Sequence, residues 1–146
     1  MSYTTAKAAI IAGVTALVPT TTTRGQGKRY TLVNRSVWSQ DPDVVSSLPD
    51  RAYNLVAVTH QRIGHAGTAA TVYRTTFGLA VHHEPGASVN DDDERMGEDW
   101  EQLAALIDSV VTLGGGIESL VSDGDTRATG VQTPDTLAMT FTVRHS

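Results

Sequence analysis

Hydrophobic and polar positions divide this chain into helical and strand-like stretches before any motif is considered. Ile10, Val14 and Leu17 fall at i, i+4 and i+7 with Ala6 and Ile11 beside them, which lays one apolar stripe along a first helix. Ser2 or Thr4 supplies its N-cap, and the helix runs to about Val18. Pro19 stops it, because a proline pushes the preceding residue out of the α region. Residues 20–26, four threonines and then Arg24 and Gly25, read as an extended arm.

Period-two alternation takes over next. Tyr30, Leu32 and Val37 mark a first strand, and residues 39–50, with Pro42 and Pro49, form a loop or irregular edge. Ala52–Ile63 places Tyr53, Leu55 and Ala57 on one face and Val56, Val58 and His60 on the other. A turn at 64–67 leads back through residues 71–83, with Tyr73, Thr75, Phe77, Leu79 and Val81 opposite Arg74, Thr76 and His82. At ~3.3 Å per residue each arm of this hairpin is roughly 40 Å long, beyond what one small core covers. Part of it is expected to project or to meet a neighbour.

After a loop at 84–90, Asp91, Asp92 and Asp93 supply cap and first-turn carboxylates for a second helix reaching about Leu113. Met96, Trp100, Leu103, Ile107 and Val110 carry its apolar stripe, and the glycines at 114–116 end it. A short apolar piece (Ile117, Leu120, Val121) and a turn at 122–125 precede a final strand, where Leu137, Met139, Phe141 and Val143 alternate with Ala138, Thr140, Thr142 and Arg144. The expected fold is therefore α+β: a mostly antiparallel sheet with a long β-hairpin and two main helices packed on it. No repeat or linker divides residues 1–146, so one domain is expected.

Composition narrows the chemistry. The 40% hydrophobic and 18% charged content suits a folded core, and the absence of cysteine removes disulfides, thiolate metal sites and cysteine nucleophiles. A net charge of −5 argues against a nucleic-acid-coating protein, though not against a wall past which DNA slides. The apolar opening is broken by Gly13 and Thr15 and lacks a cleavage site, so it reads as an amphipathic helix rather than a signal peptide. No run approaches the ~20 apolar residues of a membrane span.

The local motifs fall short of chemistry. Residues 24–29 (Arg-Gly-Gln-Gly-Lys-Arg) lack the hydroxyl of a phosphate loop and precede a strand. An acidic run read as a calcium loop from Asp92 places Gly97 correctly but puts Met96 and Leu103 where oxygen ligands are needed. His82, His83 and Glu84 look like a ligand cluster, yet His60 faces the 71–75 region, above ~20 Å from His82 along the arm. No metal, cofactor or catalytic set is expected.

An alanine-rich opening helix over 3–18, a basic linker, a strand at 30–33, a Pro-containing loop, the long 53–63/71–83 hairpin, a helix ending in Leu103-Ala104-Ala105-Leu106-Ile107 and a closing strand at 137–143 follow one another along nearly the whole chain. In this layout the sequence resembles the tail terminator (tail completion, or neck) proteins of long-tailed bacteriophages. The resemblance implies a non-enzymatic structural subunit of the virion, assembled in the host cytoplasm. It implies a homo-oligomeric ring, a hexamer, that caps the tail tube and joins it to the head. Its partners would be itself, the tail tube protein and the head–neck connector protein, with DNA passing through the lumen without sequence-specific binding and no membrane involved. For the subunit contact, the basic arm with Arg24, Lys28 and Arg29 is expected to meet the acidic 91–99 face of the next copy, through Asp91, Asp92 and Asp93. Thr71, Tyr73 and Thr75 on the hairpin are expected to contribute to the same interface. Two alternatives stand beside this reading: another neck or tail-tube ring subunit, or a small-ligand-binding or hydrolytic α+β enzyme with His60, His82, His83 and Glu84 in a pocket between sheet and helix.

Overall fold

Ser2 opens the first helix: its hydroxyl accepts the Thr5 amide at 3.2 Å, satisfying one of the donors a helix start leaves unpaired. In this computed structural model, which describes residues 2–20, 29–33, 48–63, 72–83, 89–112, 117–121 and 135–145, that helix is α1 (Tyr3–Ala16). It ends two residues before the expected Val18, because Leu17 turns extended and donates its amide to the Val14 carbonyl at 3.2 Å. The Gln102 side chain then pins the outgoing chain, donating to the Val18 carbonyl at 2.8 Å and accepting from the Thr20 amide at 3.2 Å. Ala6, Ile10 and Val14 form the buried stripe.

Five strands make one sheet in the order β1-β2-β3-β5-β4: β1 (Thr31–Leu32), β2 (Ala52–Ile63), β3 (Val72–His83), β4 (Ile117–Val121) and β5 (Asp135–His145). The sheet is mixed, which corrects the expectation of a mostly antiparallel one. β1 runs parallel to β2, since the Thr31 amide donates to the Arg51 carbonyl and the Val33 amide to the Tyr53 carbonyl, a same-direction ladder. The hairpin has the length expected, with 12 residues in each of β2 and β3. β5 then pairs with β3 over its whole length, from Tyr73 opposite His145 to His83 opposite Asp135. The apolar piece after the second helix becomes the edge strand β4, paired with β5.

The second helix, α2 (Val89–Thr112), joins α1 on one face of the sheet. There Tyr53 and Leu55, Phe77, Leu79 and Val81, and Leu137, Met139, Phe141 and Val143 meet Ile10, Val14, Met96, Leu103 and Ile107. Burying each large side chain of this set contributes about 1.5–3 kcal/mol. Phe77 and Phe141, opposite each other in register, stack at 5.7 Å. The two helices approach closely at Gly13, where an added Cβ would sit 3.2 Å from Val110 Cγ2. Tyr53 reaches across to α1, donating to the Ile11 carbonyl at 3.2 Å and so accepting from the Thr15 hydroxyl at 2.8 Å.

β2 carries the one departure from simple alternation that matters for the site. Ala57 faces Phe77 and Thr59 faces Thr76, which leaves Val58 as an extra, bulged residue. Beyond it the faces exchange. His60, expected beside Val56 and Val58, is instead opposite Thr75 on the helix-covered face. Val58 itself is 61% exposed on the open face. The distal part of the arm leaves the core: residues 57–62 are exposed, whereas 52–55 are buried.

Because Val58 is the unpaired residue, deleting it should remove the bulge and keep every cross-strand partner. Chemical denaturation of the deletion variant should give a single transition within about 1.5 kcal/mol of the parent. Deleting Leu79 from β3, whose pairing with β5 has no bulge to absorb the shift, should instead reverse the faces of part of that central strand and abolish folding. Loss of folding in both would contradict the bulge.

Candidate functional site

Two groups of polar side chains lie against the helix layer, and both depend on positions that alternation alone would fill with apolar residues. The first is a buried ion network under α2. Asp99 sits on the inward stripe between Met96 and Leu103, so its carboxylate points at the sheet. Arg51 Nε donates to Asp99 Oδ2 at 2.8 Å and Arg51 Nη2 to Oδ1 at 3.3 Å, a two-point contact. His83 Nε2, from the end of β3, donates to the same Oδ2 at 2.7 Å. One helical turn before Asp99, Arg95 places Nη1 3.3 Å from Asp50 Oδ1, and Asp50 in turn lies 3.8 Å from Arg51 Nη1. All five side chains are at most 1% exposed.

The chain bends sharply to make this possible. Ala52 donates its amide to the Pro49 carbonyl at 3.1 Å, closing a turn over 49–52, and Arg51 within it has φ = 55°. A left-handed conformation costs a side-chain-bearing residue about 1–2 kcal/mol. Here it lets the Arg51 carbonyl receive β1 while its guanidinium turns inward, 6.0 Å from the Tyr30 ring centroid. Two guanidiniums and two carboxylates balance within the network, which is the condition under which buried charge is tolerated. Burial works to raise the Asp99 carboxyl, but the His83 and Arg51 hydrogen bonds and the Arg51 charge outweigh it and hold that group below the usual carboxylate range. Burial first, and the Asp99 charge next, push the Tyr30 phenol far above its ordinary range, so it stays protonated. His83 Nδ1 is buried with no hydrogen-bond partner among the described residues.

The second group lies at the distal end of the hairpin. Thr75 Oγ1 bridges two imidazoles, 2.6 Å from His60 Nδ1 and 2.7 Å from His145 Nε2. A hydroxyl has one proton, so it can donate to one ring and accept from the other. Tyr73 stacks on both rings, at 5.5 Å from His60 and 5.7 Å from His145, and Tyr3 of α1 meets His60 edge-on at 5.7 Å. The bulge at Val58 is what brings His60 here, and the length of β5 is what brings His145.

These placements redistribute the residues singled out from sequence. Arg24, Lys28, Thr71, His65 and Glu84 lie outside the described residues. Arg29 is described and exposed, separated from β1 by Tyr30. Asp91, Asp92 and Asp93 fall in the backbone of α2, with their side chains outside the described set. Thr75, expected at a subunit interface, is fully buried between two histidines, and Tyr73 is half-buried in the same stack. Asp99 was expected to be part of an acidic outer face and is instead the centre of the inner network.

The three described histidines of the four residues considered for an enzymatic pocket are not gathered together. His60 is distal, His82 faces away from the helices opposite Ala52, and His83 is closed in by Asp99. An open groove of about 720 Å³ runs between α1 and the β1–β2 edge, lined by Lys7, Ile11, Leu32, Val33, Asn54 and Val56 among others, and no described histidine borders it. Among the described residues, no group of three or more His, Asp or Glu side chains is placed to hold a metal ion. No described helix is long and apolar enough to cross a membrane.

In comparison with known proteins, no protein-family model matches the chain and no curated protein matches it.

Asp99→Asn should cost about 3–5 kcal/mol, since it leaves the buried Arg51 charge without its carboxylate. The pH dependence has a definite sign. A carboxyl held low in the fold stabilises it fully above the unfolded value of about 3.9, and that contribution drains away as pH falls through the lower folded value. Urea denaturation from pH 7 to pH 2 should therefore show a loss of stability below about pH 4 that is reduced in Asp99→Asn. An identical acid profile in the two proteins would contradict the role given to Asp99.

Proposed function

We propose that this protein is a non-enzymatic structural subunit of a tailed-phage virion that assembles with copies of itself into a ring, in the manner of a tail terminator joining the tail tube to the head–neck complex. The observation that carries the assembly part of this reading is the hairpin. Its first arm runs on as an exposed strand after the core has ended, from Ala57 to Arg62. An exposed strand edge outside the core is a liability in a monomer and a ready contact in an assembly. The phage assignment rests on the chain-wide layout, α-β-β-β-α and a closing strand, to which the structure adds the edge strand β4.

The chemistry of the two polar groups is compatible with this role. The ion network is sealed from solvent and ties α2 to the sheet, and the imidazole cluster is braced by stacked rings. Another neck or tail-tube ring subunit would have the same requirements. In the tail-terminator reading the partners are the tail tube protein and the connector protein, with DNA crossing the lumen. A net charge of −5 suits a lumen that DNA traverses without being held.

Sedimentation velocity on the purified chain tests the reading. The expected outcome is one discrete species with the mass of a closed ring, and a hexamer in the tail-terminator case. A monomer that persists throughout the micromolar range would overturn it.

A further inference from the structure

Resting in part on the assembly reading above, we propose that His60, Thr75 and His145 form a pH-sensitive latch. It ties the distal arm of the hairpin down at neutral pH and releases it when both imidazoles are charged. The arm is the exposed 57–62 stretch, the contact that the assembly reading uses.

The latch follows from counting protons. Thr75 is fully buried, and its hydroxyl lies 2.6 Å from His60 Nδ1 and 2.7 Å from His145 Nε2. Among the described residues that hydroxyl has no other side-chain partner. A buried O–H needs an acceptor, so one of these two nitrogens carries no proton. The closed arrangement therefore admits one charged imidazole but not two. With both charged, both nitrogens become donors and the Thr75 proton is left buried without an acceptor. The deduction holds whichever imidazole is the neutral one, and whatever else either of them touches.

The surroundings act in the same direction. The two imidazole centroids are 5.6 Å apart, so two charges there would repel at close range. Register places Arg62 on the same face, opposite Tyr73, while Arg74 and Arg144 lie on the other face. From α1, Tyr3 lies against both imidazoles and Lys7 follows about one turn later. From β4, the Glu118 side chain lies outside the described residues. The network around Asp99 is at the opposite end of β3, beside His83. The Tyr73 ring stacked on both imidazoles favours a cation on either one, but it gives the Thr75 proton no acceptor.

The two imidazoles differ in freedom. His145 is 4% exposed at the end of β5, against Tyr3, whereas His60 is exposed on the arm. His60 is therefore the one that leaves, and with it goes a tie between the helix-covered face and the arm beyond Val58. The closed state binds one proton fewer than the open state, so lowering the pH favours the open arm. Imidazoles ordinarily change charge between about pH 5 and pH 8, which sets the interval in which the latch works.

Nitrogen-15 NMR of the imidazoles tests the latch between about pH 7.5 and about pH 5, together with amide hydrogen exchange of residues 57–62 corrected for its intrinsic pH dependence. The expected result is a neutral imidazole and a protected arm at the higher pH. At the lower pH both imidazoles should be charged, with exchange in the arm roughly tenfold faster or more. His60→Asn places an acceptor that does not titrate at the Nδ1 position, so its arm should stay equally protected at both pH values. The position is exposed, so this variant should fold. Two charged imidazoles with arm protection unchanged would overturn the latch. So would one imidazole staying neutral over a closed arm at the lower pH, or His60→Asn opening as the wild type does.

Sedimentation velocity at the same two pH values separates the latch from the assembly reading. Wild-type assemblies that dissociate at the lower pH, while those of His60→Asn persist, would support both. Wild-type assemblies that persist with the arm open would overturn the link between latch and assembly. A wild-type monomer at both pH values would overturn the assembly reading, and the NMR and exchange results would still decide the latch.

Discussion

The structure depends on one carboxylate. Asp99 receives Arg51 from the turn before β2 and His83 from the end of β3, and so joins three segments distant in sequence at a single pair of oxygens. Its helix neighbour Arg95 holds Asp50 in the same layer. Each side chain would be expensive to bury alone, and removing any one strands the others. The network therefore specifies one arrangement of α2 on the sheet, where a purely apolar contact would tolerate sliding. It also explains the left-handed backbone at Arg51: the strain is offset by a two-point hydrogen bond and by the parallel entry of β1.

Much of the fold was legible because it rests on periodicity. The α+β class, both helices, the hairpin with Ala52–Ile63 as one arm and the closing strand all follow from repeats of 3.6 and 2 in the apolar positions. What escaped were effects of a single residue or of long-range pairing. One extra residue, Val58, exchanges the faces of β2, and no composition signal marks it. The parallel pairing of the two-residue β1 is set by where the chain returns rather than by its own sequence. His145 was unremarked because its partner Tyr73 is 72 positions away, joined only by the β3–β5 register.

The buried network left one readable trace. Arg95 and Asp99 fall on the apolar stripe of their own helix, beside Met96 and Leu103, and a charged residue there must find a partner inside. Reading residues 91–99 as one acidic outer face concealed that difference. Separated, the run has two parts: Asp99 turns in to organise the fold, and Glu94, Glu98 and Glu101 lie on the exposed side of the helix. The hairpin divides in the same way, with residues 52–55 in the core and 57–62 beyond it. Buried and exposed positions are thus carried by the same elements.

An electron-microscopy reconstruction of the assembled chain tests this division most directly. The account predicts a closed ring in which the exposed 57–62 stretch of each subunit's hairpin lies against the next subunit, all contacts being equivalent under one rotation. A persistent monomer, or a ring in which the 57–62 stretch remains exposed to solvent, would contradict it.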